Sequence, residues 1–113
     1  MFARIARFEG GSPEVIERQV DGLRRDLDAA KSGAPVDPSV TGLSNIVDRV
    51  LMLVDRDSGV STMIVFCDTI DKLREADRIL DSMSPETGAG KRVSRDLCEV
   101  AVDASPGAAR RAA

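Results

Sequence analysis

An α+β fold, with an antiparallel sheet of strand order 4-1-3-2 and two helices on one face, follows from three observations in the sequence. Strand-like and helix-like segments alternate as β-α-β-β-α-β, the order of a split βαβ unit. The two long helical segments each carry one apolar stripe, so each has a face to bury and a face for solvent. The central hairpin, finally, is apolar on both sides. Leu51-Met52-Leu53-Val54 and Met63-Ile64-Val65-Phe66-Cys67 do not alternate as a strand with one wet face should.

Each element has a local cause. Phe2 to Phe8 reads as the first strand, which "EGGSPE" interrupts. Ser12 is a natural N-cap, Pro13 suits the first helical position, and Glu14 suits the positive end of the helix dipole. Ile16, Val20, Leu23, Leu27 and Ala30 then recur at spacings of 4, 3, 4 and 3, with Glu17, Arg18, Asp21, Arg24, Arg25 and Asp28 mostly off that stripe. Gly33, Pro35 and Pro38 end the helix. Residues 32 to about 44 are expected to form a loop with room for a short helical turn. The hairpin closes at Asp55 to Gly59, where Gly59 can supply a positive φ. Asp68 or Thr69 caps a second helix, in which Leu73, Ala76, Leu80 and Met83 recur at 3, 4 and 3 until Pro85 stops it. "ETGAG" is a turn, and Arg92 to Val102 forms the last strand. Residues 1–102 therefore constitute one ferredoxin-like domain, and the low-complexity "DASPGAARRAA" of residues 103–113 is expected to be disordered.

Composition narrows the chemistry. The 113 residues include 42% hydrophobic and 31% charged side chains, an ordinary globular balance. The aromatics are Phe2, Phe8 and Phe66 alone. Without histidine, tryptophan or tyrosine, the chain has no imidazole for a metal, a haem or general base catalysis, and no indole or phenol to stack on a ligand. No metal site and no cofactor are expected. The net charge of −3 disfavours nucleic acid as a partner. No segment reads as a signal peptide or membrane span, so no membrane partner and a cytoplasmic location are expected. Cys67 and Cys98 lack CxxC spacing and are expected to be reduced thiols.

Two helices can cover only one side of this sheet. An apolar second face would far exceed the few hundred Å² that a soluble monomer usually tolerates. It is therefore expected to meet another copy of itself, giving a twofold homodimer with sheets packed face to face.

Several residues are candidates for a site. Arg4 shares a strand face with Phe2, Ala6 and Phe8, so it can point into an apolar cavity and bind an anionic or carbonyl group. The competing reading is an ion pair with an acidic residue such as Asp96 or Glu99 on the last strand, or across the dimer. Asp48, Arg49, Arg95 and Asp96 are expected at water or the dimer rim. If Arg95 and Asp48 lie inside, they can polarise a ligand carbonyl and accept its proton. Cys67, at a strand end beside a helix N-terminus, is either a thiol of lowered pKa or a small buried hydrophobe. It should lie two strand spacings, about 9–10 Å, from Cys98. Met52, Met63 and Met83 with Phe66 suit either an adaptable pocket or the core. "GAGKR" fails as a phosphate loop: Pro85 and Arg92 stand where glycine and Ser or Thr would be needed.

"MFARIARFEG", "LMLVDRDSG" and "IDKLREAD", in this order and spacing, resemble the dimeric α+β barrel superfamily, nearest its antibiotic biosynthesis monooxygenase-like domains. The resemblance implies a homodimer with a small ligand held between sheet and helices. Some relatives oxidise polycyclic aromatic substrates without a cofactor, and others degrade haem. The oxygenases are associated with an asparagine, a tryptophan and sometimes an arginine or tyrosine in that cavity. Here Asn45 is the sole asparagine, and Cys67 precedes Asp68 where relatives often show tryptophan before an acidic residue.

Arg4, Asn45, Met63, Phe66, Cys67 and Arg95 are thus the candidate ligand-binding residues. The expected protein is a small homodimer that binds an apolar or aromatic molecule between sheet and helices, with cofactor-independent monooxygenase-like turnover as a further step. The alternative is a non-catalytic interaction or regulatory module with a filled core, which the scarcity of aromatics favours over a typical oxygenase.

Overall fold

The computed structural model describes residues 1–83 and 88–107. The elements are β1 (Phe2–Glu9), α1 (Pro13–Ser32), α2 (Pro38–Ser44), β2 (Arg49–Asp55), β3 (Val60–Cys67), α3 (Ile70–Ser82) and β4 (Lys91–Glu99). The strands form one antiparallel sheet in the order β2-β3-β1-β4, the ferredoxin-like arrangement expected from the pattern.

Local chemistry sets the helix ends. The Ser12 hydroxyl accepts from the Val15 N–H at 3.3 Å, and the Thr69 hydroxyl accepts from the Lys72 N–H at 3.1 Å. Gly33, at φ 74°, closes α1 with its N–H on the Ala30 carbonyl, while Ala34 reaches back to Ala29. The segment expected as a loop holds a third helix. Asp37 caps α2 by accepting from the Ser39 N–H at 2.9 Å, and the helix brings Leu43, Ile46 and Val47 against the core. β4 ends at Glu99, three residues earlier than expected. Glu99 lies opposite Phe2, and Val100 donates to the Met1 carbonyl at 2.9 Å. Pro85 lies outside the described residues.

Register divides the sheet into two faces. Phe2, Arg4, Ala6 and Phe8 of β1 share a face with Cys67, Val65, Met63 and Ser61 of β3 and with Val50, Met52 and Val54 of β2. All three helices lie on this side. Its core is Val65, Cys67, Leu73 and Ala76, flanked by Phe2, Leu43, Ile46, Val47, Ile70 and Leu80, so it sits under α2 and α3. α1 is fully buried only at its first turn, through Val15 and Ile16; Val20, Leu23 and Leu27 further along its stripe are half-buried.

The other face carries Ala3, Ile5, Leu51, Leu53, Ile64 and Phe66, with no helix over it. Leu53 is 53% exposed, and the Arg49 guanidinium lies 5.7 Å from the Phe66 ring centre. Both-sided apolarity in the hairpin is therefore a property of the folded chain.

The turns at one end of the sheet interlock. The Gly11 N–H donates to the Gly59 carbonyl at 3.0 Å, and Gly59 has φ 72°. A Cβ at Gly59 would lie 2.5 Å from the Gly11 carbonyl oxygen. Gly59→Ala should accordingly cost about 1–3 kcal/mol in chemical denaturation. Gly22→Ala, inside α1 where the nearest atom to a new Cβ is 3.9 Å away, should instead be neutral or stabilise by up to about 1 kcal/mol. Equal effects at the two positions would contradict this description of the turn.

Candidate functional site

Where α1 stands away from the sheet, a cleft of about 580 Å³ opens to solvent. Met52 and Met63 form its floor, Gln19, Gly22, Leu23 and Asp26 of α1 one wall, and Leu80, Asp81 and Met83 the other. Phe8, Ser61, Gly90 and Arg92 close one end, and Arg4 reaches in from β1. The volume falls within the range of small-molecule pockets, and the three methionines give it an adaptable apolar surface. Arg4 and Ser61 are the buried polar side chains of the described residues, and both line this cleft.

Arg4 is held by α3. Its Nε donates to Asp77 Oδ1 at 2.7 Å and its Nη2 to Asp81 Oδ1 at 3.4 Å. Asp77 and Asp81 are four residues apart and so share a helix face. β4 supplies two more guanidiniums: Arg92 Nη1 lies 2.6 Å from Asp81 Oδ1, and Arg95 contacts Asp81 Oδ2 and lies 3.6 Å from Asp77 Oδ1. Arg92 foremost, with Arg95 adding to it, holds the Asp81 carboxyl below the usual carboxylate range against a smaller opposing effect of desolvation.

The candidate residues do not converge as a set. Arg4 and Met63 line the cleft, and Arg95 stands behind it in the ion cluster. Phe66 is on the opposite face of the sheet: three positions from Met63 on one strand, it cannot share a face with it. Asn45 is the exposed C-cap residue of α2 and does not line the cleft. Cys67 is fully buried in the core beneath α3. Desolvation, reinforced by the charges of Asp48 and Asp68, pushes its thiol up, the reverse of the lowered pKa considered from its place at the helix N-terminus. Cys98 is exposed and belongs to the other face, opposite Ala3.

The ion-pair reading of Arg4 holds with other partners, and the conditional meeting of Asp48 and Arg95 does not occur. Arg4 binds Asp77 and Asp81 rather than Asp96 or Glu99; Asp96 lies opposite Ile5, on the face away from the helices. Asp48 and Arg95 do not meet, since β2 and β4 are the two edges of the sheet, roughly 14 Å apart by strand spacing. Asp77 and Asp81 were the residues that sequence reasoning missed. No local signal singles them out, since Asp71 and Glu75 are a second pair of acids four residues apart in the same helix.

Among the described residues no group of three or more Cys, Asp and Glu side chains is arranged to hold a metal ion, and no helix is long and apolar enough to cross a membrane. No family model matches the chain, and no curated protein matches it. A crystal structure of a dimeric ferredoxin-like protein from an uncultured marine organism is similar to it in fold. The TM-score is 0.61 at 12% sequence identity, and the match covers 92% of this chain and 97% of that one.

The ion cluster has a pH signature. Because the folded pKa of Asp81 is lowered, its charge stabilises the fold above the ordinary carboxylate value of about 3.9, and that contribution fades as pH falls through the folded value. Asp81→Asn should lower the thermal midpoint at neutral pH, and its difference from wild type should close in acid. A difference that persisted unchanged in acid would mean that the carboxylate charge is not what holds β4 to α3.

Proposed function

We propose that this protein is a homodimer that binds an apolar or aromatic small molecule in the cleft between α1 and the sheet. The observation that carries the binding reading is the cleft itself, an open apolar space with buried Arg4 and Ser61 at its lining. An accessible interior favours ligand binding over the filled core of a purely structural module. The uncovered face of Ile5, Leu51, Leu53, Ile64 and Phe66 supports pairing of two copies, and so does the dimeric state in which the similar marine protein is described. Face-to-face packing would join the two sheets into an α+β barrel and leave a cleft on each outer side.

Turnover has less support than binding. Cofactor-independent oxygenation of the monooxygenase-like kind needs a base to ionise the substrate. Among the described residues the carboxylates lining the cleft are Asp26 and Asp81. Asp81 is engaged by three guanidiniums, of which Arg92 foremost and Arg95 hold its proton affinity down, which makes it a poor base. Asp26 is exposed on the rim. The reading is therefore a binding protein.

Filling the cleft tests the proposal. The uncharged fluorophore N-phenylnaphthylamine should bind the wild type with enhanced emission. Gly22→Leu, which adds a side chain to the α1 wall, should weaken binding at least about tenfold while circular dichroism stays unchanged. Undiminished binding by the variant, or none by the wild type, would refute the cleft as the site.

A further inference from the structure

We infer that the ligand of this cleft carries a single negative charge on its apolar body, a carboxylate being the best geometric match, and that this anion sits against Arg4 and Arg92. The inference rests on the binding reading above and adds the chemical class of the ligand.

Among the described residues the α3 side of the cleft carries an odd number of charges. Arg4, Arg92 and Arg95 surround Asp77 and Asp81, which is three positive groups against two negative ones. A guanidinium offers five N–H donors and a carboxylate about four lone-pair sites, so three of the former have nearly twice the hydrogen-bonding capacity of two of the latter. Two carboxylates cannot occupy every donor; among the described residues no buried side-chain nitrogen lacks a partner, so the spare donors belong to the solvent-facing side of the cluster. Of its three cations, Arg4 and Arg92 line the cleft, and Arg4 is 4% exposed. A guanidinium with so little water around it pairs more strongly with an incoming anion than a surface arginine does.

The count also selects the charge of the ligand. One carboxylate brings the cluster to neutrality. A dianion such as a phosphate monoester would overshoot it, beside two carboxylates that already repel it. A neutral ligand would leave the excess charge facing an apolar body, where desolvation is costly.

Orientation follows from the opposite wall. Asp26 of α1 faces the same cleft from its exposed rim. It repels an anion on that side, so the charged end belongs against α3 and β4 and the apolar body over Met52, Met63 and Leu23.

Two probes of equal size decide the matter. Naphthoate and the neutral naphthylmethanol are titrated into the full-length protein by calorimetry at low salt. Naphthoate should bind roughly three- to tenfold more tightly, a preference that added salt reduces. Arg92→Gln, at a side chain 42% exposed, makes the cluster neutral and should erase the preference; Arg92→Lys should keep it. Asp26→Asn should widen it. Equal affinities in the wild type, or a preference that survives Arg92→Gln, would overturn the anionic ligand and leave the cleft reading standing. If neither probe binds, both readings fall together.

Discussion

A β-sheet has two faces, and among the described residues this chain has helices for only one of them. That constraint organises the rest of the structure. The side chains of β2 and β3 alternate by geometry, so an unbroken apolar run such as Leu51 to Val54 places Met52 and Val54 under the helices and Leu51 and Leu53 on the opposite side. The helical face is completed within the chain by α2 and α3, and in part by α1. Among the described residues nothing completes the opposite face. Ile5, Ile64 and Phe66 extend it across β1 and β3, with the Arg49 guanidinium over the Phe66 ring at its margin. A surface of this kind, continuous across three strands and made of side chains that water solvates poorly, is the chemistry of an interface between identical sheets.

On the helical face, the decisive feature is a charge where a hydrophobe would be expected. Arg4 stands on a central strand and is nearly as buried as Val65 beside it. Burying a guanidinium is costly unless it is paired, and α3 pairs it through Asp77 and Asp81. Those two acids also collect Arg92 and Arg95, so the otherwise exposed edge strand β4 is tied to α3 by ion pairs rather than by apolar packing. The consequence is a division of the interior. Under α2 and α3 lies a packed core around Leu73, Ala76 and Cys67; under α1 lies open space, with the arginine cluster as its wall.

Much of this was legible from local chemistry. Ser12, Thr69 and Gly59 act at the cap and turn positions read for them, because each depends only on neighbours a few residues away. The strand order follows from the element order, and two-sided apolarity from the lack of alternation. What escaped depends on long sequence separation or on strand parity. The Arg4–Asp77 bond spans 73 residues, and nothing local distinguishes Asp77 from the other acids of α3. Grouping Phe66 with Met63 overlooked that an odd separation along a strand changes face. The burial of Cys67 depends on α2, whose seven residues were visible only as an irregular stretch with room for a turn. The cleft itself arises because α1 is anchored at Val15 and Ile16 and not along its whole stripe, a tertiary outcome that periodicity does not encode.

The central claim is that the uncovered sheet face is completed by a second copy, and sedimentation equilibrium on the wild type beside Leu53→Glu measures it directly. The account predicts a wild-type mass of twice the 12.1 kDa chain at micromolar concentration. A glutamate at position 53, the exposed leucine of the patch on edge strand β2, should return the protein to a folded monomer. A wild type that sediments as a monomer, or a dimer indifferent to that charge, would contradict it.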